Sequence, residues 1–348
     1  MIMKFKLFFY TAIALVVAGC SSETIEPGDD LTAEPEDQVL QVTASFEEPA
    51  GTRGYLEEAG ATIIKSIGFR WETTDEIQFC FEQDETKYSN TANVTSVSAD
   101  GRTATFTLTV PAGIDTGNAY TLYAYRSSRK SDKTAGSVLD PADPTIAILP
   151  LEQFDYLATL TDQATVFSIW SKKVIEPATT TISLSFQHLG SMITLHLKNV
   201  GSTTINDLHS LVLQTNPTQN WVINRLNGNG GARFDMATGT YVAGSESFSA
   251  TLSFFVPSAT LAPDEVATYY LWFVPKTDVA SFVLMLASLE SPGTSSYITG
   301  LTNVNKSINR NLQTGRNYLL FATIENDEAS TPPRPYLLKF TDSAFVAP

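Results

Sequence analysis

The chain has little of what catalytic, metal-binding or disulfide-stapled proteins are built from. It holds two cysteines and three histidines in 348 residues, too few for a disulfide framework. His188, His196 and His209 follow no HExxH or other close ligand spacing. Basic residues are scarce: 22 Lys and Arg stand against 37 Asp and Glu, a net charge of −15. That balance argues against nucleic acid as a partner, because phosphates demand Lys/Arg patches. No GxSxG, GxxxxGK[ST] or strand-borne GxGxxG is present, and the glycines at 228, 230 and 231 read as a hairpin turn. Carboxylate pairs arise too easily in an acidic chain to count as glycosidase evidence. The sequence therefore reads as a non-enzyme with no cofactor and no metal. Long apolar runs are also lacking: residues 7–18 carry no charge, but that is short of the roughly 20 residues a spanning helix needs.

What that short run offers is a signal. Lys4 and Lys6 precede it, and Val17-Ala18-Gly19-Cys20 closes it, the layout of a secretory signal to be removed before fold reasoning. The apolar-small-Gly-Cys ending resembles the lipobox of bacterial lipoproteins. That resemblance implies a signal peptide over 1–19, acylation of Cys20, and an outer-membrane protein held by its lipid. With Cys20 acylated, Cys80 is the only thiol left. It alternates with Ile77, Phe79 and Phe81 and shares its face with Gln78 and Glu82, so it is expected to point outward as a packing or surface cysteine.

Residues 20–37 are acidic and contain Pro27, Gly28 and Pro35, the composition of a solvated tether. From Cys20 to Arg53 the extended chain reaches on the order of 110 Å. An acidic stretch after a lipidated cysteine also resembles surface-export signals of Bacteroides-type lipoproteins. Beyond the tether the hydrophobic period is two. Leu40, Val42, Ala44 and Phe46 alternate with Gln41, Thr43 and Ser45, and Ala104, Phe106, Leu108 and Val110 share a face. Ile182, Leu184 and Phe186 alternate likewise, as do Ile193, Leu195 and Leu197, which leaves His196 on the partly exposed face with Met192, Thr194 and Lys198. Further strands are expected at 208–214, 248–256, 268–274, 282–289 and 318–324, with Gly, Asn, Asp and Pro clusters between them. No long helical periodicity appears. The fold class is all-β, as two tandem sandwiches over 38–175 and 176–325. The Glu176-Pro177 stretch marks the division. Asn326-Asp327-Glu328 and Pro332-Pro333 set off an extension over 326–348, in which residues 336–340 read as one more short strand.

Several motifs fall in a telling order. Thr52-Arg53 follows the first strand. Then come Trp71-Glu72-Thr73-Thr74-Asp75-Glu76-Ile77, Tyr123-Ala124-Tyr125, Phe186-Gln187-His188 opening the second half, and Leu312-Gln313-Thr314-Gly315-Arg316-Asn317-Tyr318 entering a strand. Together with the lipobox, this order resembles the fimbrillin family, pilin subunits of type V pili in Bacteroides-type bacteria. Thr74 departs from the expected Gly-Asp pair, which concerns a turn more than function. The resemblance implies two transthyretin-like sandwiches, surface export as a lipoprotein, cleavage by an Arg-specific protease, and assembly with other pilin subunits by strand exchange, supporting adhesion. Arg53 is the first basic residue after Cys20, and hence the expected cleavage site. Residues 38–47 are the strand lost, and residues 336–346, with Tyr336, Leu338 and Phe340 on one face, are the donor strand.

Two alternatives stand beside it: a pilus anchor that keeps its lipid and first strand, and a surface lipoprotein binding glycans through Trp71, Trp170 or Trp221. Trp272 lies in an apolar run and reads as core. The expected partners are other subunits, the membrane through Cys20, and a host or bacterial surface ligand. Asp342-Ser343-Ala344 resembles the Asp-Ser/Thr-small motif of Bacteroides-type O-glycosylation.

Overall fold

The period-two pattern is realised as strands, and no helix occurs among the described residues. The structure is a computed structural model. It describes residues 38–46, 64–66, 70–127, 139–149, 168–215, 222–224, 232–245, 247–249, 251–275, 279–287, 306–310, 312, 314–327 and 334–341. The signal, Cys20, the acidic tether, Arg53, Trp221, the Asn/Gly-rich turn and the Asp342-Ser343-Ala344 motif lie outside these residues.

In chain order the first strands are β1 (Val39–Phe46), β2 (Ile64–Ser66), β3 (Glu76–Gln83), β4 (Thr86–Asn93), β5 (Ser96–Val97), β6 (Ala104–Thr109) and β7 (Tyr120–Ser127). Next come β8 (Leu139–Asp140), β9 (Asp143–Ile148), β10 (Ser168–Ile175), β11 (Thr181–His188), β12 (Ser191–Asn199), β13 (Ile205–Thr215) and β14 (Val222–Asn224). The rest are β15 (Arg233–Asp235), β16 (Thr240–Tyr241), β17 (Ser247–Ser249), β18 (Thr251–Leu261), β19 (Val266–Phe273), β20 (Val279–Ala287), β21 (Lys306–Arg310), β22 (Arg316–Asp327) and β23 (Arg334–Thr341).

One sheet runs β4-β3-β7-β10-β11-β1-β6-β5. It folds over on itself, so β4 meets β6, with the Asn90 amide donating to the Thr109 carbonyl at 3.0 Å and Phe79 packed 5.5 Å from Phe106. The inward rows Ile77/Phe79/Phe81, Leu40/Val42/Ala44, Ala104/Phe106/Leu108 and Ile182/Leu184/Phe186 are all buried. This is the sandwich the alternation calls for. The β3–β4 hairpin turns on Asp84 and Glu85, at φ 49° and 66°, the left-handed pair a two-residue turn needs to match the strand twist.

A second pair of sheets runs β19-β12-β22 and β18-β13-β20-β21, with β18 beside β19 and β20 beside β23. Pro257 falls in edge strand β18, where the ladder with β13 shifts register, a place that tolerates a residue without an N–H. β2 and β23 line one edge of β22 end to end, β2 opposite Arg316–Tyr318 and β23 opposite Phe321–Asp327.

One expectation is corrected and another narrowed. The division at 175/176 would put β11 in the second half, yet β11 lies in the first sheet beside β1. The changeover comes at Leu189-Gly190. A Cβ at Gly190 would sit 2.3 Å from the Trp272 ring, so no larger residue fits there. Cys80 lies on the outward face of β3, as expected, but as a packing cysteine rather than a surface one: it is fully buried. The outer face of β3, β7 and β10 is covered by a small sheet, β16-β15-β9-β8, assembled from two distant segments. Residues 37–348 accordingly form one compact unit.

Candidate strand-exchange site

β1 is the first described strand, yet it sits deep in its sheet. It pairs antiparallel with β6 from Val39 to Ala44 and parallel with β11 from Gln41 to Phe46. Its flanks are tied further by Gln41 N–H to the Thr180 carbonyl and Val110 N–H to the Gln38 carbonyl, both at 2.8 Å. Inward-facing Leu40, Val42 and Ala44 are 0%, 1% and 0% exposed. At roughly 25 cal/mol per Å² of apolar area, such a row contributes several kcal/mol to holding the strand.

Phe46 ends the row in an aromatic cluster. Its ring stacks on Trp71 at 5.3 Å and on His188 at 5.7 Å, with Phe186 at 6.4 Å. Trp71 meets Phe186 edge-on at 5.4 Å, and the Arg126 guanidinium lies 5.8 Å from the Trp71 ring centre. Arg126 pairs with Asp75, both side chains 6% exposed. Asp75 also accepts the Glu72 N–H at 2.9 Å, closing the turn that Thr74 occupies. Burial pulls the Arg126 pKa down against the opposing pull of Asp75, and burial pushes the His188 pKa down to about 4. Sequence reading noted the Trp71–Asp75 motif but missed its pairing with Arg126; the signal was a lone charge directly after the aromatic Tyr123-Ala124-Tyr125 run.

β11 depends on β1. On its other side it pairs with β10 only at Ile169–His188 and Trp170–Gln187, and beyond these the two strands part. A cleft of about 350 Å³ opens there, lined by Lys173, Glu176, Thr179, Thr181 and Ser183 among others, with the Lys173 ammonium donating to the Ser183 carbonyl at 2.9 Å. Removing β1 would leave β11 with two short pairings and an open edge.

β23, the candidate donor, forms a strand as the sequence predicts. It pairs antiparallel with β22, placing Leu338 against Ile324, Phe340 against Ala322 and Tyr336 against Asn326. Leu338 is 3% exposed and Phe340 half-buried. Lys339 meets Glu325 at 3.3 Å on the opposite face. Among the described ladders β23 has one neighbour where β1 has two.

The remaining candidates do not gather into a site. Cys80 donates weakly to the Phe81 carbonyl at 3.8 Å, and burial first, then the Glu82 charge, pushes its pKa up to about 12, so it is no nucleophile. His196 is 9% exposed rather than partly open. Its cross-strand neighbours close over it, with Phe321 stacked at 5.1 Å and the Thr268 hydroxyl 3.0 Å from Nδ1. Trp71 and Trp272 are buried, as expected for Trp272, and Trp170 packs edge-on against Phe234 at 5.0 Å. Among the described residues no group of His, Cys, Asp and Glu is arranged to hold a metal, and no helix is long and apolar enough to cross a membrane.

No family model and no curated protein matches the chain. The solved structures it is similar to include three proteins provisionally described as cell adhesion proteins. One, from Bacteroides uniformis, has 13% identity and a TM-score of 0.42, over 88% of this chain and 98% of that one. One from Bacteroides ovatus has 14% identity and a TM-score of 0.46, over 88% and 96%. One from Bacteroides fragilis has 11% identity and a TM-score of 0.45, over 90% and 99%. At these values the likenesses carry no argument about this chain's function, and its all-β fold rests on its own ladders.

Proposed function

We propose that this chain is a structural subunit of a cell-surface fibre, exported as a lipoprotein through Cys20, with a role in adhesion. Cleavage after Arg53 severs β1 from the rest, and a neighbouring subunit's strand takes its place. β23 is the strand this subunit donates in turn. The observation that carries the reading is the position of β1: doubly paired and buried, yet joined to the remainder only through the segment that holds Arg53. One cut there turns a strand of the fold into a replaceable ligand. The vacated slot offers two rows of unpaired N–H and C=O groups and an apolar trough, which a donated strand satisfies together. β23 exchanges one ladder for two on entering such a slot. Head-to-tail contacts of this kind do not close, so they propagate as a filament.

The test is the state of the chain on the cell surface. SDS-resistant multimers extracted from the producing bacterium should contain a chain beginning at Gly54, lacking β1. A chain beginning at Cys20 and running only as a monomer overturns the reading.

A further inference from the structure

We infer that the β1 slot selects its occupant by the pattern apolar-x-apolar-x-small-x-aromatic, read in the direction of β1, and that the occupant comes from a different kind of subunit than a copy of this chain. The inference rests on the reading that β1 leaves.

The pattern follows from what surrounds each inward position. Leu40 lies opposite Leu108, and Val42 lies between Phe106 and Ile182. Ala44, fully buried, lies between Ala104 and Leu184, which are 0% and 1% exposed. Close-packed interiors leave no spare volume there, so a larger side chain overpacks. Two residues on, Phe46 fills the recess formed by Trp71, Phe186 and His188, which only a planar ring can stack against. Direction is fixed as well, because the slot is parallel to β11 and antiparallel to β6 and the two ladders bond differently. A slip of one residue turns the apolar row outward. A slip of two drives an aromatic ring into the place of Ala44. The small and the aromatic positions together therefore set one register.

The C-terminal segment of this chain lacks the pattern. Placing Tyr336, Leu338 and Phe340 along the row puts Phe340 where Ala44 sits and Asp342 where Phe46 sits. Moving two residues along puts Asp342 in the place of Ala44. The single small-x-aromatic match, Ser343 and Phe345, puts Lys339 in the place of Leu40. Each register buries an unpaired charge, overpacks the slot, or does both.

The test uses residues 21–348 cut after Arg53 and fluorescein-labelled peptides read by anisotropy. A peptide of residues 38–47 should bind. Its Ala44→Phe and Phe46→Ala forms should each bind at least about tenfold more weakly. A peptide of residues 334–346 should bind no better than a scrambled control, and the cut chain alone should not form an SDS-resistant ladder. Equal binding by the variants, tight binding by 334–346, or self-laddering overturns the inference and leaves strand release standing. Retention of the fragment ending at Arg53, read by native mass with no peptide exchange, overturns both.

Discussion

Asp75 and Arg126 form an ion pair with both side chains only 6% exposed, directly under the Trp71 ring that receives Phe46. The pair therefore underlies the floor of the β1 slot, joining the turn before β3 to the end of β7.

Removing one partner leaves a buried charge without its counterion. Asp75→Ala should cost about 3–5 kcal/mol of stability, while the double change Asp75→Leu with Arg126→Met should recover most of it. Urea midpoints of the two variants measure this, and equal losses would show that the pair's charge is not what matters.

Leu40 tests how strongly β1 is held in the uncut chain. Leu40→Ala should cost about 2–5 kcal/mol, a transfer term plus the cavity left against Leu108. Denaturant unfolding of the uncut chain reads the value; a loss under about 1 kcal/mol would mean the slot collapses around the missing side chain.

His188 gives a pH signature. Its folded-state pKa is depressed to about 4 from 6.5, so the unfolded chain takes up a proton first as pH falls. Stability is then whole above pH 6.5 and declines toward pH 4, by roughly 1–3 kcal/mol from this group. His188→Gln should remove that part of the decline. Parallel pH curves for wild type and variant would discount it.

Cys80 is the only cysteine in residues 21–348. Buried, with a pKa near 12, it should react with iodoacetamide at pH 8 at least about a hundredfold more slowly in the folded chain than in urea. Prompt labelling of the folded chain would mean that the covering sheet opens readily.

Arg53→Ala should hold β1 in place and abolish fibre assembly, while deletion of residues 328–348 should leave a folded subunit that enters a fibre but ends it. Normal fibre length with either variant, measured by electron microscopy of extracted fibres, counts against the matching step.

The strands were legible because their cause is local. A half-buried strand imposes period two, and Leu40/Val42/Ala44 or Ala104/Phe106/Leu108 display it without reference to any partner. Alternation says which residues share a face, not what covers that face: Cys80 is closed off by a second layer, His196 by Phe321 and Thr268 on neighbouring strands of its own sheet. For Cys80 that layer is β8–β9 with β15–β16, from residues 139–148 and 233–241, and nothing local marks segments so far apart as neighbours.

The sequence by itself determined the all-β class, the alternation within the strands that display it, and the order in which Cys20, the first strand, Arg53 and the last strand follow one another. These depend on chemistry within a few residues. Only the tertiary structure decided that β11 belongs beside β1 rather than in the second half, that β1 is paired on both sides while β23 has one neighbour, and that Asp75 finds Arg126 beneath Trp71. Strand pairing is settled by which long-range ladders bury the most apolar surface while satisfying every backbone group, and that choice belongs to the whole chain rather than to any window of it.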